Sequence, residues 1–204
     1  MVTPIGVLAL QGDFDAHVGA LRRAGAACRP VRRASEIRES SGLVLPGGES
    51  TTLITLLREL DLVEPLLALH RGGVPLLGTC AGAILLAAAV ENPGQFSLGL
   101  IDIGIERNAY GRQRDSFEAA GGETSLAPDG AEASGGDSMP MVFIRAPRIV
   151  RLGAGVRVLG RLGEEPVLVE QGAVMAATFH PELTGDLRVH RRLAARAFRA
   201  VAAV

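Results

Sequence analysis

A cysteine framed by two glycines is the first place where this chain could do covalent chemistry. Gly78-Thr79-Cys80-Ala81-Gly82 has the pattern of a nucleophile elbow, a sharp strand-to-helix turn with Ser or Cys at its tip. Glycine is required on either side because a side chain there would collide with the tight turn and the neighbouring strand. The turn puts Cys80 at a helix N-terminus, where the dipole favours thiolate. It also points the amide of Ala81 at an oxygen that becomes negative during attack on a carbonyl. Cys28 has no such context and reads as a buried structural cysteine.

A thiol nucleophile needs a base and a group that orients the base, and both can lie far away in sequence. Of the four histidines, His17, His70 and His190 fall in predicted helices beside charged residues and read as solvated surface groups. His180 ends the apolar run Met175 to Phe179, at the C-terminal edge of a predicted strand, where open sheets assemble their sites. Glu182 follows across Pro181. In an extended segment that spacing puts both side chains on one face, so Glu182 can fix the tautomer of the imidazole. Proline favours the extension by fixing its own φ and restricting its predecessor. A third segment, Pro46-Gly47-Gly48-Glu49-Ser50, sets adjacent glycines between a strand end and a helix start, which lets backbone amides approach a ligand oxygen.

These side chains must be held by a scaffold, and the apolar pattern supplies one. Pro4 to Leu10, Leu43 to Leu45 and Val74 to Leu77 are short buried-strand runs. Asp13 can cap a helix with Phe14, Val18 and Leu21 on one face and Gly25 beyond its end. Ser50 can cap another, with Leu53, Leu56, Leu57 and Leu60 inward. Ala83 to Val90 is rich in helix formers. The alternation predicts an α/β fold with a mainly parallel central sheet and helices on both faces. In the second half, Leu100 to Ile105, Met141 to Ile144, Arg148 to Leu152, Val156 to Gly160, Pro166 to Glu170 and Ala173 to Phe179 are closely spaced strand-like pieces. They predict antiparallel additions at one edge of the sheet. Ala119 to Pro140, dominated by Gly, Ala, Ser, Asp and Glu, reads as a mobile surface loop. A closing helix is expected after Thr184, with Ala194, Ala197, Phe198 and Val201 on one side.

Composition narrows the function classes. The chain has 204 residues, 48% hydrophobic, with 21 basic and 22 acidic side chains, and one domain spanning 1–204 is expected. All the basic residues are arginine, so a Gly-Lys-Ser/Thr phosphate loop or a lysine Schiff base cannot be present. A net charge of −1, one tyrosine and no tryptophan argue against nucleic-acid binding. The longest apolar stretch is far short of the roughly 20 residues a membrane helix needs, so no membrane partner is expected. Two cysteines and no leader pattern favour the cytoplasm.

Together the elbow, the His-x-Glu and the double-glycine segment resemble the class I (triad) glutamine amidotransferases. Further stretches are similar to the glutaminase subunits of two-component pyridoxal 5′-phosphate synthases. They are Gly6 to Gly12, Leu45 to Thr52, Glu106 to Gln113 with Asp115 to Glu118, Phe143 to Pro147, and Phe179 to Thr184. The resemblance implies Cys80 as nucleophile, His180 as base and acid, and Glu182 as its orienter. It implies that Gly47, Gly48, Glu49, Ser50, Arg107, Ile144 and Arg145 hold L-glutamine, and that Ala81 and Gly48 form the oxyanion hole. It also implies a pyridoxal 5′-phosphate synthase (lyase) subunit as partner, poor activity without it, and no cofactor or metal. Charge agrees for the arginines, since a guanidinium suits the α-carboxylate of glutamine.

Two other readings stay open at this level. The ammonia source of a different biosynthetic amidotransferase would share the triad and differ in the tracts 106–118 and 143–147. A redox or stress protein on a similar sheet would use Cys80 alone and would not need His180 or Glu182.

Overall fold

The structure, a computed structural model, describes residues 3–107 and 116–202. The tract from Glu106 to Glu118 is therefore only partly described: Asn108, Ala109, Tyr110, Gly111, Arg112, Gln113 and Asp115 lie outside the described residues.

The first half alternates as its apolar runs require. β1 (Ile5–Leu8) leads to α1 (Phe14–Arg23), capped by the Asp13 carboxylate on the amide of Ala16 at 3.3 Å, with Gly25 at φ +80° beyond its end. β2 (Cys28–Val31) and α2 (Ala34–Arg38) then fill an arginine-rich stretch with little periodicity. There the pairing of β2 alongside β1 decides the conformation. β3 (Gly42–Leu45), α3 (Ser50–Glu59), α4 (Val63–Arg71), β4 (Leu76–Thr79) and α5 (Ala81–Leu86) follow. Two local expectations need correction. Glu49 holds the N-cap position of α3 without a side-chain capping bond, and the Ser50 hydroxyl donates to Gln95 Oε1 at 2.9 Å. The inward face of α3 is Leu53, Ile54 and Leu57, whereas Leu60 is 49% exposed.

The second half departs further. The expected helix over Ala83 to Val90 ends at Leu86, and Ala87–Glu91 is strand β5. With β6 (Ile101–Glu106) and β9 (Arg148–Leu152) it forms a separate three-stranded sheet, not an addition to the main one. The expected loop 119–140 lies mostly within a long antiparallel hairpin, β7 (Ser116–Leu126) and β8 (Glu132–Ile144). Phe117 stacks on Phe143 at 4.8 Å between ring centroids, and Leu126, Met139 and Met141 are buried, so tertiary packing overrides a composition poor in strand formers. After β10 (Arg157–Leu162), β11 (Glu165–Gln171) and β12 (Val174–Ala177), a 3-10 turn (Pro181–Leu183) precedes α6 (Arg188–Ala202). α6 begins at Arg188, not after Thr184, with the Asp186 carboxylate accepting from the Arg188 amide at 2.9 Å. Its inward residues include Val189, His190, Leu193 and Ala197, while Phe198 is 73% exposed.

The main sheet has nine strands in the order β2-β1-β3-β4-β12-β11-β10-β7-β8. The first five run parallel, and from β11 outward the pairing is antiparallel, which matches the expected fold class. Strand alternation splits the core into two. Leu8, Leu43, Leu45, Leu76 and Ala176 face the packed residues of α3, α4 and α5, such as Leu53, Leu66 and Ile84. Ile5, Val7, Val44, Leu77 and Ala177 face Val18 and Leu21 of α1 and Val189 and Leu193 of α6. Helices therefore cover both faces. The C-terminal ends of β1, β3, β4 and β12 are left to carry Gln11, Gly47, Cys80 and His180, at the crevice where open α/β sheets bind ligands.

Candidate active site

Cys80 is the turn itself. Its φ of 48° and ψ of −104° put it between the last residue of β4 and the first of α5, and its amide donates to Ala177 on β12 at 2.8 Å. Positive φ in a non-glycine residue is strained and persists only where the surroundings hold it. Here they do. A Cβ on Gly78 would stand 2.6 Å from the carbonyl of Gly82, and one on Gly82 would stand 1.9 Å from the carbonyl oxygen of Leu45. The two glycines of the elbow are thus required by packing against the turn and against β3, as the spacing implies.

His180 follows β12, its amide held by the carbonyl of Val142 at 2.8 Å. Its Nδ1 is 2.7 Å from Glu182 Oε1. The segment is not extended, because Pro181–Leu183 is a 3-10 turn, and that turn folds the fully buried carboxylate back under the ring. Burial alone would push the His180 pKa down. Hydrogen bonding and charge from Cys80 and Glu182 outweigh it and raise the value to about 10. The ring therefore favours its protonated, imidazolium form. Gly47 closes this pair from the side: a Cβ there would lie 2.4 Å from His180 Cε1 and 3.3 Å from Cys80 Cβ.

One cleft with about 130 Å³ of free space is lined by Gly48, Glu49, Ser50, Cys80, Arg107, Ile144, Arg145 and His180. The expected site residues thus converge, with Gly47, Ala81 and Glu182 immediately behind. Arg107 Nη2 is 3.6 Å from Glu49 Oε1, and the Cys80 thiol points at the Ile144 carbonyl at 3.9 Å. Ala81 is the first residue of α5, so its amide has no intrahelical acceptor. Gly48 has φ +139°, and a Cβ there would overlap the Gln11 amide at 1.8 Å, whose Oε1 accepts from the Glu49 amide at 3.3 Å. Ile84 and Pro147 also line the cleft, and Gln11 and Gln95 brace its loop.

Two of the histidines expected at the surface are not there. His17 on α1 and His190 on α6 are fully buried, with His17 Nδ1 3.1 Å from His190 Nε2. His17 Nε2 reaches both Thr79 Oγ1 at 3.1 Å and Glu182 Oε2 at 3.3 Å. The signal was available for His17, since it shares the inward face of α1 with Phe14, Val18 and Leu21. His70 is half-buried on α4, and Cys28 is half-buried, with its thiol donating to the Val18 carbonyl at 3.6 Å. Among the described residues, no group of His, Cys, Asp or Glu is placed to hold a metal ion, and no helix is long and apolar enough to cross a membrane.

The same arrangement of chain occurs in proteins of known kind. Pyridoxal 5′-phosphate synthase subunit PdxT of Parafrankia sp. is 55% identical over 92% of this chain and 89% of its own. The protein of the same name from Pelotomaculum thermopropionicum is 50% identical over 96% of both chains. A crystal structure of a glutamine amidotransferase superposes with a TM-score of 0.83 at 45% identity, over 95% of this chain and 98% of that one. Residues 7–198 match the SNO glutamine amidotransferase family, and the chain belongs to that family.

Proposed function

We propose that this chain is the glutaminase subunit of a pyridoxal 5′-phosphate synthase, a single amidotransferase unit over residues 1–204. It hydrolyses L-glutamine to glutamate and ammonia and passes the ammonia to a docked synthase (lyase) subunit. The observation that carries the reading is the junction of Cys80, His180 and Glu182 beneath a cleft with room for an amino-acid substrate. The relatives' shared name supports the pathway and the partner.

The chemistry follows from the charges. His180 takes the proton of the Cys80 thiol, and its raised basicity keeps that proton on the ring while the sulfur attacks as thiolate. The sulfur adds to the side-chain carboxamide carbon, and the carbonyl oxygen takes the electron pair as an oxyanion facing the amides of Ala81 and Gly48. As the tetrahedral species collapses, the C–N bond breaks and His180 gives its proton to the leaving nitrogen, releasing ammonia and a glutamyl thioester. The now neutral imidazole takes a proton from water, whose oxygen attacks the thioester. Glutamate departs and the thiolate–imidazolium pair returns. Glu182 holds the ring through Nδ1 throughout, so Nε2 faces the sulfur and the leaving group. Arg107 and Arg145 suit the α-carboxylate of glutamine, and Glu49 its α-amino group.

The chain contains no lysine, so an imine-forming ring synthesis must take place on the partner. We assign the protein to the cytoplasm because its two cysteines are too few for a disulfide framework. Ammonia release from glutamine, measured with and without the synthase subunit, tests the assignment. Turnover with the partner that Cys80→Ser or His180→Ala abolishes supports it. No release under either condition, or a His180→Ala variant as active as the parent, removes it.

A further inference from the structure

The proposed hydrolysis uses only one oxygen of Glu182. The other, Oε2, is equally buried, and the group near it is His17 Nε2 at 3.3 Å. A buried carboxylate oxygen without a donor is costly, so the protonation of His17 matters to the state of Glu182.

The contacts decide which ring nitrogen of His17 carries the proton. Suppose it is Nδ1. The proton would then point to His190 Nε2, and the neutral His190 would carry its own proton on Nδ1, a buried atom with no acceptor. The bare Nε2 lone pair of His17 would at the same time face the Glu182 carboxylate. A buried N–H without an acceptor is the rarest kind of orphan in folded proteins. Suppose instead that the proton is on Nε2. His190 Nε2–H then donates to His17 Nδ1, and the partnerless Nδ1 of His190 is merely an unused acceptor. His17 Nε2–H then donates to Thr79 Oγ1 at 3.1 Å, with Glu182 Oε2 3.3 Å from the same nitrogen. Only this assignment gives both ring protons an acceptor and sets a donor, not a lone pair, beside the carboxylate.

We propose that His17 is a positioning residue for the triad, donating from Nε2 to the second oxygen of Glu182, and that His190 locks the tautomer that allows it. The inference rests on the triad reading above and extends it to a row running His190, His17, Glu182, His180 and Cys80. His17 stays neutral because burial disfavours its charged form and because His190 and His180 stand beside it. His190 is likewise held down, to about 4, by burial and by Arg23 against the opposing pull of Asp186. The groups facing His17 are thus Glu182 on the 3-10 turn, His180 beyond β12, Thr79 on β4 and His190 on α6. Through Thr79, the residue before Cys80, the same proton also ties α1 to the elbow.

The experiment is glutamine turnover of the chain with its synthase subunit across a pH series, for the parent, Cys80→Ser, His17→Leu and His17→Gln. His17→Leu fills the space but leaves Glu182 Oε2 without a donor. Its kcat should fall about tenfold to a hundredfold with KM for glutamine nearly unchanged. The acidic limb of its kcat/KM profile should move up by about one pH unit, because an unsupported buried carboxylate protonates more readily. His17→Gln puts an amide nitrogen near the lost Nε2 and should restore both kcat and the limb to near the parent. A His17→Leu variant with the parent's kcat and acidic limb, or a glutamine variant no better than leucine, overturns the proposal. A Cys80→Ser variant that stays active sinks the triad reading itself, which is a separate result. Should His17→Leu fail to fold, nitrogen-15 NMR of the parent chain decides: protonated Nε2 on His17 supports the inference, and protonated Nδ1 overturns it.

Discussion

The carbonyl of Leu45 occupies the space where a side chain on Gly82 would begin, with a Cβ there 1.9 Å from its oxygen. Both are backbone-anchored, so neither can rotate away. Gly82→Ala must push β3 from the start of α5, and overpacking of this kind costs about 1–3 kcal/mol or more. For a domain of this size that is a fall in Tm of about 2–12 °C. Gly185→Ala, which meets nothing within 4 Å, should melt with the parent. Thermal unfolding of the two variants side by side checks the contrast.

Glu170 anchors the far side of the sheet to α6. Its fully buried carboxylate binds Arg192 at 2.8 and 2.9 Å and Arg196 at 2.5 Å, and also pairs with Arg157. Burial would raise its pKa, but the guanidiniums of Arg192 and Arg196 carry it down to about 2. A depressed carboxylate stabilises the fold fully above the ordinary pKa near 4.5 and loses that contribution as pH falls toward 2. Glu170→Gln should therefore be less stable than the parent by about 3 kcal/mol at pH 7. Denaturant titrations at pH 7, 4 and 3 should show the gap narrowing with acid. A gap that is constant with pH would mean that shape, not charge, holds the contact.

What the sequence displayed and what it hid have different physical origins. Strands β1, β3, β4 and β12 are legible because burial on both faces demands unbroken apolar runs. The elbow is legible because its backbone tolerates only glycine at two fixed places. The hairpin β7–β8 was hidden. Gly121, Gly122, Ser125, Gly136 and Ser138 carry no strand signal, and the hairpin is held by pairing and by Phe117 against Phe143. The burial of His190 was hidden for a related reason: it is polar on a helix with charged neighbours, and the partner that makes its burial tolerable lies 173 positions away. The contact between His180 and Glu182 was anticipated, but by the wrong backbone, a 3-10 turn in place of an extended segment.

Arg107 is only 12% exposed at its side chain, yet its ion-pair partner among the described residues, Glu49, is half in solvent at 3.6 Å. A guanidinium so placed is free to exchange that loose pair for a substrate carboxylate. Arg107→Gln should raise KM for glutamine about tenfold to a hundredfold, the worth of a charged hydrogen bond, and leave kcat within a few-fold. Steady-state kinetics of the complex separates the two parameters. A change confined to kcat would place Arg107 outside the glutamine site.

Gly47 offers the most selective way to disturb the chemistry. Unlike Gly48, it has no left-handed φ, so alanine costs the backbone little there. The added methyl would nevertheless lie 2.4 Å from His180 Cε1 and 3.1 Å from its Nδ1, closer than any carbon contact survives. The Cys80 Cβ at 3.3 Å blocks retreat on one side. The imidazole must therefore swing away from the sulfur or loosen its 2.7 Å bond to Glu182. A displacement of that order costs about a hundredfold in rate when it falls between nucleophile and acid. Gly47→Ala should thus lose about two orders of magnitude in kcat while its melting temperature stays near the parent's. If activity survives unchanged, the pair does not need the geometry that Gly47 protects, and the thiolate–imidazolium mechanism loses its structural basis.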